Sequence, residues 1–546
     1  MRRSVKLPEE LNIFVHPDII SFSLYLPGYP ADGFLHRLHL HYIVSSYQIA
    51  LYHISVWSPH PSAPFIPNPV QHKRNNMAET PILSFLLEHA DKHTVSFHMP
   101  GHKGSAIYKK YGYGEFLEKI MDCDITEIIG ADNLYQTEGI LKEAQEEYAK
   151  LYGVKRAYIL VNGTSAGLIA AILASVPQGG KIILARNCHK VIYNALVLGG
   201  IQPVYAYPSM IEEYGISGEI TPEEISRCLA ENPDASAVVF PSPNYYGICS
   251  DITKIAEIVH AAGKILIVDQ AHGAHLKFFS DCGCPLPKSA EECGADIAVN
   301  SIHKTLASFT QSALLTFNTD KVDHYVLEDK LQMIMSTSPS YLLMASLDIN
   351  ADILKHHKEQ AIAEWYGALS FFYEEAAKIE GLEVIRTDAL DITKINLDMS
   401  AFGLSGAELE QLLLEKGIYA ELTTGNILMC MTGIGNTKED MKKTLAALKE
   451  IASSRPKKAA VHEKPPAVLE ARFELCAVPQ HKVRIPLGEG EGRICAQSII
   501  PYPPGIPFIC PGEKITAEVI TYIKALRSAG EKVIGVNAEG EITVGE

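Results

Sequence analysis

Ala157-Tyr-Ile-Leu-Val161 is a short apolar run, Asn162-Gly163-Thr164-Ser165 breaks it, and residues 166–175 are small or apolar throughout. A five-residue apolar run bounded by turn residues reads as a buried strand, and the longer run as a helix. The unit recurs downstream. Lys181-Ile-Ile-Leu184 leads through Arg186-Asn-Cys-His189 into a helix ending near residue 198. Pro203-Val-Tyr-Ala206, Ala237-Val-Val-Phe240 and Lys264-Ile-Leu-Ile-Val-Asp269 then alternate with helical segments near 222–230 and 251–262. Strands alternating with helices predict an α/β fold whose mostly parallel sheet is covered on both faces. In such sheets ligands bind beyond the carboxyl ends of the strands, where the polar residues that follow these apolar runs fall.

The chain flanking this core is read in the same way. Residues 1–76 are rich in Pro, His and Tyr and carry no sustained period, although 42–44 and 49–52 have strand composition. They are expected to be a poorly ordered extension or to precede the natural start at Met77, where Thr80 and Pro81 signal a helix start; a genuine targeting or docking arm is the alternative. Residues 77–345 are expected to form an N-terminal arm and the large domain. Long helices over 342–372 lead into a smaller α+β domain spanning 346–454, with strands at 382–385 and 393–396 and a helix at 406–416. The charged, Pro-bearing stretch 455–468 is expected to be a linker, and 469–546 a C-terminal segment.

Composition removes several classes of function. A formal charge of −16 argues against a nucleic-acid or anionic-membrane partner. No apolar run approaches the ~18 residues of a membrane span. The eleven cysteines are scattered; Cys282-Gly-Cys284 with Cys293 lacks further ligands at zinc spacing, so free thiols are expected, no metal is predicted, and a cytoplasmic location follows.

The chemistry concentrates in Ser301-Ile-His303-Lys304-Thr-Leu-Ala-Ser308-Phe-Thr310-Gln311-Ser312. A lysine in a crowded polar setting can lose its proton and form a Schiff base, the attachment that pyridoxal 5'-phosphate (PLP) requires. Taken alone, Lys304 reads equally well as a solvated loop lysine. PLP also needs an acid for its ring nitrogen and a helix N-terminus for its phosphate. Asp269, ending an apolar strand, is the candidate acid. Gly163, Thr164 and Ser165 are the candidate cradle, with the plainer alternative of an ordinary helix cap. His189 is a candidate for stacking on the ring, His272 lies just beyond Asp269, and Ser301 and His303 would add donors to the phosphate. Phe97-His-Met-Pro-Gly-His-Lys103 reads as a turn or as an active-site rim.

Together these segments resemble the bacterial ornithine/lysine/arginine decarboxylases, PLP enzymes with the aspartate-aminotransferase type of fold. The resemblance rests on Ser301-x-His303-Lys304-x-x-Ala307-Ser308-x-Thr310-Gln311-Ser312-Ala313, Phe97–Lys103, Asn162–Ser165, Arg186–Lys190, Pro241–Gly247, Asp269-x-Ala271-His272, Ser338–Tyr341 and Tyr502–Glu513, and it runs from about Met77 to the C-terminus. The length suits the shorter, Bacillus-type arginine decarboxylase branch. The resemblance implies a seven-stranded sheet and Lys304 as the Schiff-base lysine. It implies Asp269 at the ring nitrogen, His189 on the ring, and Gly163, Thr164, Ser165, Ala271, His272, Ser301 and His303 around the cofactor. Glu513 is implied at the distal cation of a basic amino-acid substrate. A homodimer or higher oligomer with shared active sites is implied, with the 336–341 loop reaching a neighbour's cofactor. Gln270 stands where an acid is common in the family, and Ala166 where a hydroxyl is. The reaction implied is α-decarboxylation of arginine to agmatine; lysine or ornithine as substrate, an aminotransferase, and a catalytically silent PLP-binding regulator are the alternatives.

Overall fold

The computed structural model describes residues 12–16, 19–23, 80–457, 474–501, 505–528 and 532–546. The chain divides into two units, Met1–Pro81 and Ile82–Glu546. In the first, Asn12–His16 pairs antiparallel with Ile19–Ser23, two runs rich in Ile, Val and Phe that the sequence reading passes over. The predicted strands at 42–44 and 49–52, most of the 455–468 linker, and Tyr502 to Pro504 lie outside the described residues.

The second unit is organised on a seven-stranded sheet. Its strands are β1 (Arg156–Leu160), β2 (Lys181–Ala185), β3 (Gln202–Ala206), β4 (Ala237–Pro241), β5 (Ile265–Asp269), β6 (Ile297–Asn300) and β7 (Ala313–Phe317). Their spatial order is β1-β7-β6-β5-β4-β2-β3. β7 runs antiparallel to both of its neighbours, and the other strands run parallel to one another. Every residue of β5, β6 and β7 is buried, as expected where helices cover both faces. Helix α1 (Gly163–Ser175) lies across β7, β6 and β5 and beside α2 (Lys190–Gly199), while α3 (Pro222–Glu231) and α4 (Ile252–Ala261) pair with each other.

Two features differ from the sequence reading. The predicted helix at 166–175 begins three residues earlier, so Gly163, Thr164 and Ser165 form its first turn. β7 is not anticipated: its five residues, apolar except for Thr316, follow a hydroxyl-rich loop, carry no period, and become a strand only by pairing with β6 and β1.

Two helices, α5 (Tyr341–His356) and α6 (Lys358–Ala376), lead to a second, smaller sheet. The expected boundary after residue 345 therefore falls inside α5. The smaller sheet is antiparallel in the order β8-β9-β11-β10, built from β8 (Glu383–Val384), β9 (Lys394–Asp398), β10 (Leu422–Thr424) and β11 (Ile427–Met431). Beyond residue 474, β12 (Lys482–Pro486) pairs with β13 (Glu541–Gly545) around a separate apolar core that includes Leu487, Ile499, Ile509, Val519 and Ile523. Among the described residues no helix is long and apolar enough to cross a membrane.

Candidate active site

The carboxyl ends of the parallel strands converge on one cleft. Thr164, His189, Tyr245, Asp269, His272 and Lys304 line it, and Ala271 completes the wall behind Asp269. These residues follow β1, β2, β4, β5 and β6, the edge at which an open α/β sheet receives a ligand.

Lys304 sits in the short helix Ile302–Thr305, directly after β6. Its Nζ lies 2.9 Å from His272 Nε2. Burial lowers the affinity of this amine for its proton and Lys394 acts in the same direction, while Asp269 opposes both. Burial and the Lys304 charge push His272 well below the ordinary histidine range, so its ring is neutral. Among the described residues its Nδ1 has no hydrogen-bond partner.

Asp269 is 7% exposed, and one carboxylate oxygen accepts the Ala271 N–H at 3.1 Å. Among the described residues that is the only hydrogen bond its carboxylate receives. Burial pushes this carboxyl above its usual range although Lys304 and the N–H pull it down. A desolvated carboxylate with so little compensation is poised for a cation.

His189 caps α2, its Nδ1 accepting the Val191 N–H at 3.3 Å. Burial and Lys304 lower it to about 3, which leaves a neutral ring on the cleft wall. At the start of α1, Gly163 has φ +69°, a conformation that favours glycine. Thr164 Oγ1 lies 3.1 Å from Ser301 Oγ, so two hydroxyls meet at a helix N-terminus whose dipole favours an anion. Ser165 is exposed beside them. His303 Nδ1–H donates to the Ser312 carbonyl at 2.9 Å, and burial lowers its ring to about 4.

The two departures noted in the sequence have local explanations. Gln270 is fully buried, and its Nε2 donates to Glu291 at 2.9 Å and to Asn300 Oδ1 at 2.8 Å, tying the end of β5 to the end of β6. Ala166 is 2% exposed and packs in the core.

The 97–103 loop is a buttress more than a rim. The Gly101 N–H donates to the His303 carbonyl at 2.7 Å, and the Ile434 N–H to the Thr305 carbonyl at 2.8 Å, so the lysine segment is braced from behind. Lys103 Nζ donates to the carbonyls of His98 and Met431, and burial lowers it to about 7. In the 336–341 loop the Ser336 N–H donates to Asn162 Oδ1 at 3.2 Å, beside the start of α1.

Glu513 does not join the cleft. It is fully buried, and its Oε2 accepts from Arg186 Nη2 at 3.1 Å and from the Cys510 N–H at 2.7 Å. The same guanidinium donates to the carbonyls of Pro507 and Phe508 at 2.8 and 2.9 Å. The position expected at the distal cation of a substrate is thus taken up by an internal ion pair that seats the C-terminal segment. Arg186→Leu would leave a buried carboxylate without its counter-ion and is expected to lower the unfolding free energy by ~3–5 kcal/mol, read as a shifted urea midpoint. An unchanged midpoint contradicts the pairing. Tyr245, whose ring centroid is 4.6 Å from that of His272, and Lys394 are not singled out by the sequence. Tyr245 lies within the Pro241–Gly247 motif without a role of its own, whereas Lys394 looks like an ordinary strand lysine.

Comparison with known proteins bears on this geometry. Residues 80–388 match the family described as "Orn/Lys/Arg decarboxylase, major domain", and residues 455–541 match its C-terminal domain. The chain is 34% identical over 472 residues to the arginine decarboxylase of Bacillus subtilis, covering 84% of this chain and 95% of that one. It is 32% identical to the arginine decarboxylase of Halalkalibacterium halodurans over the same shares of the two chains, and 23% identical to a lysine decarboxylase of Pseudomonas aeruginosa, covering 82% and 76%. Among solved structures, the Francisella novicida lysine decarboxylase aligns with a TM-score of 0.67 at 21% identity, covering 84% of this chain and 80% of that one. A Sphingomonas wittichii serine palmitoyltransferase aligns at 0.50 with 16% identity, covering 66% and 88%. At these identities the structural likenesses establish the fold alone, one shared with a lysine decarboxylase and a serine palmitoyltransferase.

Proposed function

The chain belongs to the Orn/Lys/Arg decarboxylase family, and from that premise we propose that it converts arginine to agmatine and CO2 with PLP attached at Lys304. The observation that carries the proposal is the meeting of Lys304, Asp269 and His189 on one cleft with the Thr164–Ser301 hydroxyl pair. The residues present fit the cofactor. Asp269 has a carboxylate in need of a cation, His272 Nδ1 is buried without a partner among the described residues, and the start of α1 offers an anion site.

On this reading Gly163, Thr164, Ser165, Ser301 and His303 would hold the phosphate, Asp269 would pair with the protonated ring nitrogen, and His189 would stack on the ring. When bound, PLP supplies the electron sink that accepts the pair left behind as CO2 departs. The chain supplies the rest. Burial keeps the Lys304 amine ready to act without a proton, and keeps His189 and His272 neutral beside it, so no further cation competes for Asp269. The proton that Lys304 Nζ takes up from the substrate ammonium would be returned to the substrate Cα from the same atom, which lies 2.9 Å from His272 Nε2. Glu513, closed against Arg186, supports seating of the C-terminal segment more than contact with a substrate cation.

Arginine is favoured because relatives named arginine decarboxylase reach 34% identity, against 23% for those named lysine decarboxylase. A homo-oligomer is supported by the helix Pro81–Asp91, whose Ile82 and Phe85 are 76% and 66% exposed, an apolar surface suited to burial against a second copy. Eleven unbridged cysteines favour a reducing compartment such as the cytoplasm.

The test is amine formation from arginine, lysine and ornithine by the PLP-loaded protein. Agmatine is expected. Cadaverine or putrescine instead overturns the substrate, and bound PLP with no amine from any of the three overturns the activity.

A further inference from the structure

The smaller sheet meets the wall of the cleft at a buried ion pair. Lys394, the first residue of β9, is 0% exposed. Its Nζ donates to Asp391 Oδ2 at 2.6 Å, to Thr393 Oγ1 at 3.2 Å and to the backbone carbonyl of His272. Asp391 Oδ1 accepts the Thr393 N–H at 3.0 Å and lies 3.2 Å from His275 Nε2. The turn His272-Gly273-Ala274-His275 is therefore held at both ends, by Lys394 through its first carbonyl and by Asp391 through its last ring.

The pair also underlies the opposite wall. The Asp391 N–H donates to the Gly247 carbonyl at 2.8 Å. A Cβ on Gly247 would stand 2.9 Å from the Asp391 carbonyl oxygen and 3.0 Å from Lys394 Cβ, so the loop carrying Tyr245 is seated directly on the pair. Tyr245 packs against His272, and His272 touches the Lys304 amine. As a plain stabiliser such a pair is a poor choice, because desolvation offsets most of the attraction and apolar residues of similar shape would hold the fold as well.

We propose that Asp391 and Lys394 are positioning residues through which the smaller sheet sets the His272 ring, and with it the Lys304 amine. The rate consequence rests on the decarboxylase reading; the chemical consequence at Lys304 does not.

The variant Asp391→Asn/Lys394→Met removes both charges at once and leaves neither buried alone. In the full-length PLP-loaded protein its kcat on arginine is expected to fall ~10–100-fold, the range for residues that orient groups in direct contact with the reaction. In a His272→Asn background the same pair of substitutions is expected to add less than about twofold, because the effect passes through His272. In the cofactor-free chain, acylation of Lys304 at mildly alkaline pH, followed by peptide mapping and referenced to Lys103, is expected to slow by at least about threefold, equivalent to half a pKa unit.

Additive losses with His272→Asn, or an unchanged Lys304 acylation rate, overturn the proposal. Should the charge-free variant fail to fold, His275→Gln loosens the His275 contacts with Asp391 and Thr393 and leaves the Asp391–Lys394 pair in place. It is expected to move both readouts in the same direction by less, and wild-type values for both then overturn the proposal. A wild-type protein that releases no amine refutes the decarboxylase reading while the acylation rates still decide this one.

Discussion

Lys304→Ala is expected to lower amine formation by on the order of 10⁴-fold, the upper end for a single positioned proton-transfer group. The size follows from how much converges on one atom. Nζ is the group beside His272 Nε2, it stands at the end of β6 facing Asp269, and burial has already weakened its hold on a proton. No described lysine duplicates it. Lys103 spends its Nζ on two carbonyls behind the lysine segment, and Lys394 is locked to Asp391, Thr393 and the His272 carbonyl. The fold should survive, since removing a desolvated amine from a cleft wall opens no hole in the core. The paired measurement is product formation with a melting curve: a folded variant retaining more than about a tenth of wild-type activity contradicts the assignment of Lys304.

Asp269→Asn is expected to cost ~10²–10⁴-fold in rate, corresponding to the ~3–5 kcal/mol of leaving one member of a buried charge pair alone. The buried carboxylate has one N–H partner and faces the cleft. Its effect on stability should run the other way. Burial raises the folded-state pKa of Asp269 above its unfolded value, so the ionised form disfavours folding at any pH above that raised value. At neutral pH the cofactor-free Asn variant is therefore expected to melt no lower than wild type, and its PLP affinity to fall. A variant that melts lower without losing cofactor affinity would mark Asp269 as a structural carboxylate.

Much of the architecture is legible before any coordinates because its signals are local. Ile265 to Val268 announce a buried strand by themselves, Asp269 is conspicuous as the charge that ends it, and Gly163-Thr164-Ser165 announces a strand-to-helix turn. What escapes the sequence depends on partners far along the chain. β7 is a strand only because β6 and β1 flank it. Glu513 reads as an acid in a Pro-Gly turn until Arg186, more than three hundred positions upstream, is seen to hold it. Lys394 lies in a strand buried at every position. Local patterning predicts a solvent-facing lysine there, and only the packing of the smaller sheet against the 272–275 turn accounts for its burial. The family resemblance supplies roles for residues that spacing alone leaves open, and Glu513 is where a role carried over in this way meets a geometry that does not offer it.

Every role assigned to the cleft depends on PLP being carried on Lys304. Borohydride reduction of the PLP-loaded protein, followed by proteolysis and peptide mass analysis, reads this directly. A single pyridoxyl-modified peptide is expected, containing Ser301 to Leu306 with the modification on Lys304. Modification of Lys103 or Lys394 in its place, or of no lysine at all, would contradict it.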